Sequence, residues 1–147
     1  MNIQYCSDLH LEFAQNALFL HKNSIKPVAD TLILAGDITL WGQKHFKHWF
    51  FDYVSKHWER VYYIPGNHEF YSGKDLPVNE AIRENVFLVN NHVVSVDNCD
   101  LFLTAFWSHI PDNKSLLIEA HVSDFRLIKY RGKPLRAKDF NKLHAQS

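Results

Sequence analysis

The chain has 147 residues, 46% hydrophobic, 14% aromatic and 22% charged, with 16 basic residues balancing 16 acidic ones. That length predicts one domain with room for a real core, and zero net charge argues against a protein whose main task is gripping a nucleic-acid backbone or an anionic membrane. No apolar run approaches a membrane span and no leader-like segment opens the chain. Cys6 and Cys99 match no metal or redox spacing, so buried free thiols in a cytoplasmic protein are expected.

Residues 1–7 alternate, with Ile3 and Tyr5 on one face and Asn2 and Gln4 on the other, which predicts a strand near a sheet edge. Residues 11–29 hold no sustained period and read as a loop with one helical turn. Residues 31–35 are continuously apolar, as in a strand covered on both faces. Phe46, Trp49, Phe50, Tyr53, Val54 and His57 then form one stripe at helical spacing, with Thr39 as the expected N-cap. His45, His48 and His57 on this helix read as surface or stripe-edge residues.

An aromatic, β-branched run at 61–64 is cut off by Pro65-Gly66, so residues 31–64 predict a βαβ unit with parallel strands. A loop and a short helix from about Pro77 to Asn85 should follow. Three short strands are expected at 86–89, 92–96 and 101–106, the last two forming a hairpin that turns at Asp97-Asn98-Cys99-Asp100. Residues 108–134 are polar and broken by Pro111, Gly132 and Pro134, and 137–145 predict a helix. The run Arg126, Lys129, Arg131, Lys133, Arg136 and Lys138 reads as a solvated face diluted by Asp124 and Asp139, or as a guide for an anionic substrate.

Three strand-like runs each finish in metal-ligand residue types: Asp8-Leu9-His10 after the first, Gly36-Asp37 after the second, and Gly66-Asn67-His68-Glu69 after the third. In open α/β sheets, sites form outside the carboxyl ends of strands, so the three ends can meet at one place. Each motif alone is common; together and in this order they are specific. Asp8 and Asp37 offer oxygen, His10 nitrogen and Asn67 a neutral carbonyl, a cysteine-free set that suits Mn²⁺, Fe or Zn²⁺. Asp37, on the middle strand of the three, is best placed to bridge two ions that activate water. His68 is then placed to stabilise transition-state charge or to protonate a leaving oxygen.

Ser7-Asp8-Leu9-His10, Leu34-Ala35-Gly36-Asp37-Ile38 and Ile64-Pro65-Gly66-Asn67-His68-Glu69-Phe70-Tyr71 resemble the first three motifs of the calcineurin-like metallophosphoesterase family. Leu103-Thr104-Ala105-Phe106-Trp107-Ser108 and Ser123-Asp124-Phe125-Arg126 resemble connecting segments in bacterial members of unassigned substrate. The resemblance covers nearly the whole chain. It implies an α/β fold of the αββα-sandwich type and a hydrolase acting on a phosphate ester. It further implies two divalent ions, one held by Asp8, His10 and Asp37 and the other by Asp37 and Asn67, with His68 and Asp37 as the catalytic residues.

The family's later histidine motifs, a His-His pair and a Gly-His-x-His, have no counterpart, and no Gly-His dipeptide occurs. His92, His109, His121 and His144 therefore receive no role. Residues 1–147 are expected to form a single domain, truncated at its C-terminal side relative to the family, with the first sheet and a hairpin present and the second half missing. Three readings follow. The chain is a working phosphoesterase completed by water, another histidine or another subunit. Or it is a catalytically impaired N-terminal fragment holding one ion or none. Or it is a non-enzymatic binding or scaffold module, with a homo-oligomer contact or a complementing subunit covering the exposed sheet. The substrate stays open, with nucleic acid disfavoured by charge.

Overall fold

In the computed structural model, residues 2–42, 48–73 and 79–147 are described. A five-stranded sheet forms from β1 (Ile3–Cys6), β2 (Thr31–Ala35), β3 (Arg60–Ile64), β4 (Glu80–Arg83) and β5 (Val86–Leu88), in the order β1-β2-β3-β5-β4, with short apolar runs rich in β-branched and aromatic residues in β2, β3 and β5. β1, β2, β3 and β5 run parallel, and β4 closes one edge antiparallel. β1 lies at the other edge and β2 sits between β1 and β3, as expected. The βαβ unit is likewise present, with β2 parallel to β3.

The register sets Leu32 beside Val61 and Leu34 beside Tyr63, with Val86 and Leu88 following on the same face. All six are buried against α2 (Trp49–His57), which adds Phe50, Phe51 and Val54. The predicted stripe is thus largely present, although His57 is exposed and Phe51 joins the core. Phe46, His45 and Pro77 lie outside the described residues. Thr39 is not the cap of α2: His48 is, its Nδ1 accepting the Phe50 N–H at 3.3 Å.

Two further expectations are corrected. Residues 11–29 contain a full helix, α1 (Ala14–Lys22), rather than one turn. It escapes a periodicity test because only Leu20 is buried while Leu18 and Phe19 face solvent. Residues 80–83 form β4 rather than a helix. Glu, Ala, Arg and Glu favour helix locally, but pairing with β5, burial of Ile82 and a left-handed Asn79 (φ 61°) override that preference. In β1, Gln4 turns toward the α2 side, where its Oε1 accepts Trp58 Nε1–H at 3.1 Å, while Tyr5 stays exposed on the other face.

That other face is partly covered by a hairpin of β6 (His92–Val96) and β7 (Cys99–Leu103), which buries Tyr62, Val89 and Leu103 with Ile33 and Phe87 alongside. Its turn is shorter than expected, since Cys99 and Asp100 already pair with Val96 and Ser95. β7 accordingly stops at Leu103, short of the expected 106.

The polar stretch after Ser108 builds α3 (Ser115–His121), α4 (Asp124–Leu127), a small hairpin of β8 (Lys129–Tyr130) and β9 (Lys133–Pro134), and α5 (Ala137–His144). A separate core of Trp107, Ile110, Phe125, Ile128, Leu135 and Phe140 holds these together and packs on Phe70 and Tyr71. This packing brings Asp124 to the loop after β3. Among the described residues, no helix is long and apolar enough to cross a membrane.

Candidate metal centre

The chain leaves β1 and β2 in step. Asp8 N–H donates to Gly36 O (3.0 Å), His10 N–H to Asp37 O (2.9 Å) and Leu11 N–H to Ile38 O (2.8 Å). Along this path Asp8, His10 and Asp37 all adopt left-handed backbone, with φ of 56°, 45° and 53°. Each such non-glycine residue costs about 1–3 kcal/mol and persists only where its surroundings hold it, a condition concentrated at functional sites. Here the holding bonds are the same three that zip the two loops together.

Two glycines let the loops touch. Gly36 sits at φ 86°, and a Cβ there would meet Gly66 Cα and N at 3.0 Å. At Gly66 a Cβ would lie 2.2 Å from Asp37 Oδ1 and 2.7 Å from Asp37 N. Glu69 then locks the arrangement from below. Its wholly buried carboxylate accepts Gly66 N–H (2.7 Å) and Asp37 N–H (3.1 Å) at Oε2, and Ile38 N–H (2.8 Å), Thr39 N–H (3.3 Å) and Tyr63 O–H (2.5 Å) at Oε1. Burial pushes the Glu69 carboxyl above its ordinary range against the pull of these donors, and burial with the neighbouring Glu69 charge pushes the Tyr63 hydroxyl well up.

Of the five residues expected from the sequence, Asp8, His10 and Asp37 present ligand atoms within 4.8 Å of one another. His68 N–H donates to Asp37 Oδ1 at 3.0 Å, which brings the loop after β3 against the same carboxylate. Asn67 precedes it, and its Nδ2–H₂ donates to Tyr71 Oη (3.0 Å) and Asp124 Oδ1 (2.9 Å). The Tyr71 hydroxyl donates in turn to Asp124 Oδ1 (2.6 Å); burial and that bond raise its pKa well above the usual tyrosine value.

Three participants were not singled out by motif. Glu12 Oε1 sits 3.1 Å from His10 Nδ1 and 2.9 Å from His68 Nδ1, making His10, Glu12 and His68 a second group with ligand atoms within 4.8 Å. The two rings meet edge to face at 4.4 Å. Glu12 follows His10 by two residues, a spacing that carries no warning of the contact with His68. Tyr71 and Asp124 lie within segments noted for their family likeness, but nothing local ties either to Asn67.

These residues fit a divalent ion. Asp8, His10 and Asp37 are a carboxylate and imidazole set of the borderline kind that first-row divalent ions prefer. Glu12, whose Oε1 meets His10, buries its Oε2 without a partner among the described residues, an unmet acceptor that a cation would satisfy.

A mixed parallel sheet with such a donor cluster at the carboxyl edge of its first three strands defines an α/β protein of the metal-site class. The chain belongs to the calcineurin-like phosphoesterase family, which it matches over residues 1–144. It is 30% identical over 151 residues to an uncharacterised protein of Acanthamoeba polyphaga mimivirus, a match covering 86% of this chain and 51% of that one. Its fold is similar to that of phosphopantetheinyl hydrolase from Mycobacterium tuberculosis, with a TM-score of 0.62, 19% identity, and coverage of 97% of this chain and 60% of the other. The chain therefore spans about half to three-fifths of the length of these proteins.

Proposed function

We propose that the chain is a metal-dependent phosphoesterase-type hydrolase built on a two-sheet αββα sandwich. Asp8, His10 and Asp37 hold one divalent ion, of Mn, Fe or Zn, and Asp37 and Asn67 a second. When bound, such ions polarise phosphoryl oxygens and lower the pKa of water, so that it attacks near neutral pH. The observation that carries this reading is the convergence on Asp37, which shares a 4.8 Å ligand group with Asp8 and His10 while its Oδ1 receives the His68 N–H.

The protein's own contribution is placement and proton handling. β2 runs between β1 and β3, and Asp37 at its end is the carboxylate that this reading assigns to both ions. Glu12 engages His68 Nδ1, leaving Nε2 to donate a proton to the leaving oxygen, and its carboxylate stabilises the imidazolium that donates it. The substrate is a phosphate ester and the protein acts in the cytoplasm. Calorimetry with Mn²⁺ and turnover of a chromogenic bis-phosphodiester test this together. Two ions per chain, with turnover abolished in Asp37→Asn, support the proposal; one ion or none, with no turnover, sinks it.

One observation favours a second reading, in which the fold serves as a catalytically impaired or non-enzymatic binding module. Tyr5, Val93, Phe102 and Phe106 are 50–77% exposed, on the second sheet face and around the β6–β7 hairpin, an apolar surface suited to another copy or a complementing subunit. A stable dimer without metal binding or turnover would select it.

A further inference from the structure

Asn67 can serve an ion only through its side-chain oxygen, yet a free amide turns either way. Here the amide nitrogen is engaged by two acceptors, Tyr71 Oη at 3.0 Å and Asp124 Oδ1 at 2.9 Å. Tyr71 has spent its own proton on Asp124 Oδ1 at 2.6 Å, so its oxygen faces the amide as an acceptor. Were the amide to flip, its carbonyl oxygen would face a carboxylate oxygen at hydrogen-bond distance with no proton between them. That arrangement is repulsive, and the Tyr71 hydroxyl could relieve it only by withdrawing its proton from Asp124.

Asp124 does not reach this position by chance of its own loop. It is 8% exposed and begins α4, whose Phe125 is buried against Phe140 with ring centres 5.8 Å apart. Phe140 in turn packs on Trp107, and Trp107 on Phe70, the residue beside Tyr71. The core of the last third of the chain is therefore anchored to the same turn that carries Asn67, and Asp124 is the group it offers to that turn's polar side.

We infer that Asp124, together with Tyr71, is the positioning residue that holds the Asn67 amide with its carbonyl oxygen turned away from the pair and open to an ion beside Asp37. The inference rests on the two-ion reading above for its consequence, but the orientation itself is a property of the metal-free chain. It assigns the segment 107–147 a task at the site: it supplies the partner without which the second ion's neutral ligand is undirected.

The test compares wild type with Asp124→Asn, which keeps the shape but offers an amide that accepts either orientation of Asn67. In metal-free protein, the ¹⁵N-labelled side-chain NH₂ of Asn67 should exchange with solvent at least about tenfold faster in the variant, because only in wild type do the acceptors hold the amide in one orientation. In calorimetry with Mn²⁺ alone, the weaker of two ions should lose about 10–100-fold in affinity while the tighter ion changes by less than about threefold, the pattern of an outer partner lost from one ligand. Unchanged exchange with unchanged affinities overturns the inference, and so does parallel loss of both ions with a lowered melting temperature, which marks Asp124 as merely structural. Should Asp124→Asn fail to fold, Tyr71→Phe removes the second acceptor and is read the same way. If wild type itself holds fewer than two ions, the two-ion reading falls, while the exchange of the Asn67 amide still decides the positioning.

Discussion

Glu69 Oε2 accepts the backbone N–H of Asp37 at 3.1 Å, so a fully buried carboxylate grips the very residue on which the candidate ligands converge. The same oxygen takes Gly66 N–H, and its twin takes Ile38 N–H, Thr39 N–H and the Tyr63 hydroxyl. Glu69 thus ties the loop after β2 to the loop after β3 without itself joining the ligand set. Every group pointing at it is a donor.

Glu69→Gln follows directly. Whichever way the new amide lies, its NH₂ faces donors, leaving at least two buried N–H groups unpaired. Such groups cost about 1–3 kcal/mol each, so a loss of about 2–4 kcal/mol is expected in urea denaturation of the metal-free protein. A loss below about 0.5 kcal/mol would show that the clamp does not hold the loops.

Asp37→Asn separates ligation from folding. The new carbonyl oxygen still accepts His68 N–H, and the bonds of the Asp37 backbone to His10 and Glu69 are untouched. Stability of the metal-free chain should change by less than about 1 kcal/mol, while Mn²⁺ affinity falls by more than about 100-fold, beyond what losing an outer partner costs. Thermal melts with and without Mn²⁺ read both: wild type should gain melting temperature on adding the ion, and the variant should not.

Gly66→Ala tests the close approach of the loops. A Cβ there would fall 2.2 Å from Asp37 Oδ1 and 2.7 Å from the Asp37 backbone nitrogen, so moving the side chain alone cannot make room. The variant should lose Mn²⁺ binding and about 2 kcal/mol or more of stability, since overpacking a rigid contact costs about 1–3 kcal/mol and the Gly66–Glu69 bond is strained with it. A variant that binds Mn²⁺ as tightly as wild type would show that these loops part freely.

The strand ends and the five expected site residues could be read from the sequence because each lies in a contiguous run, where strand, turn and ligand follow within a few positions. The structure brings Asp8, His10 and Asp37 into one group and sets the His68 N–H on Asp37, with Asn67 next to it in the chain. Glu12 and Asp124 could not be read in the same way. Glu12 meets His68 at a separation of 56 residues and Asp124 meets Asn67 at 57, distances over which no local pattern reports. The misread elements share a physical cause. α1 is mostly exposed and carries no stripe, while β4 is built from helix-favouring residues that a neighbouring strand captures.

Cys6 and Cys99 should differ sharply in reactivity. Cys99, expected to be buried, is exposed in the β6–β7 hairpin, whereas Cys6 lies on the α2 side of β1 and burial pushes its thiol from 9.0 up to about 11. At pH 8 the Cys6 thiolate is then on the order of 0.1% of the thiol, and the thiolate is the reactive form. Native protein should take up one equivalent of a maleimide or disulfide reagent, at Cys99, with Cys6 labelled only after unfolding. Since the folded thiol holds its proton more tightly than the unfolded one, this group's share of stability is intact below about 9 and is lost as pH rises through about 11. Mass spectrometry of the labelled chain decides it, and fast native labelling at Cys6 would contradict the burial.

Glu12→Gln tests the link between the two candidate histidines. One carboxylate oxygen serves both Nδ1 atoms, while the other is buried without a partner among the described residues. Replacing it removes a buried charge, so stability of the metal-free chain should hold or rise by up to about 1 kcal/mol. The two imidazoles nevertheless exchange a carboxylate for at most a neutral carbonyl, a weaker acceptor for fixing which ring nitrogen carries the proton. Mn²⁺ affinity at the site containing His10 should fall about 10–100-fold, the usual cost of losing a ligand's outer partner. Turnover of a bis-phosphodiester at saturating Mn²⁺ should fall as well, because His68 loses the carboxylate that stabilises its protonated form. Unchanged affinity and turnover would show that Glu12 only fills space between the rings. A fall in affinity with turnover fully restored by excess Mn²⁺ would confine its action to His10.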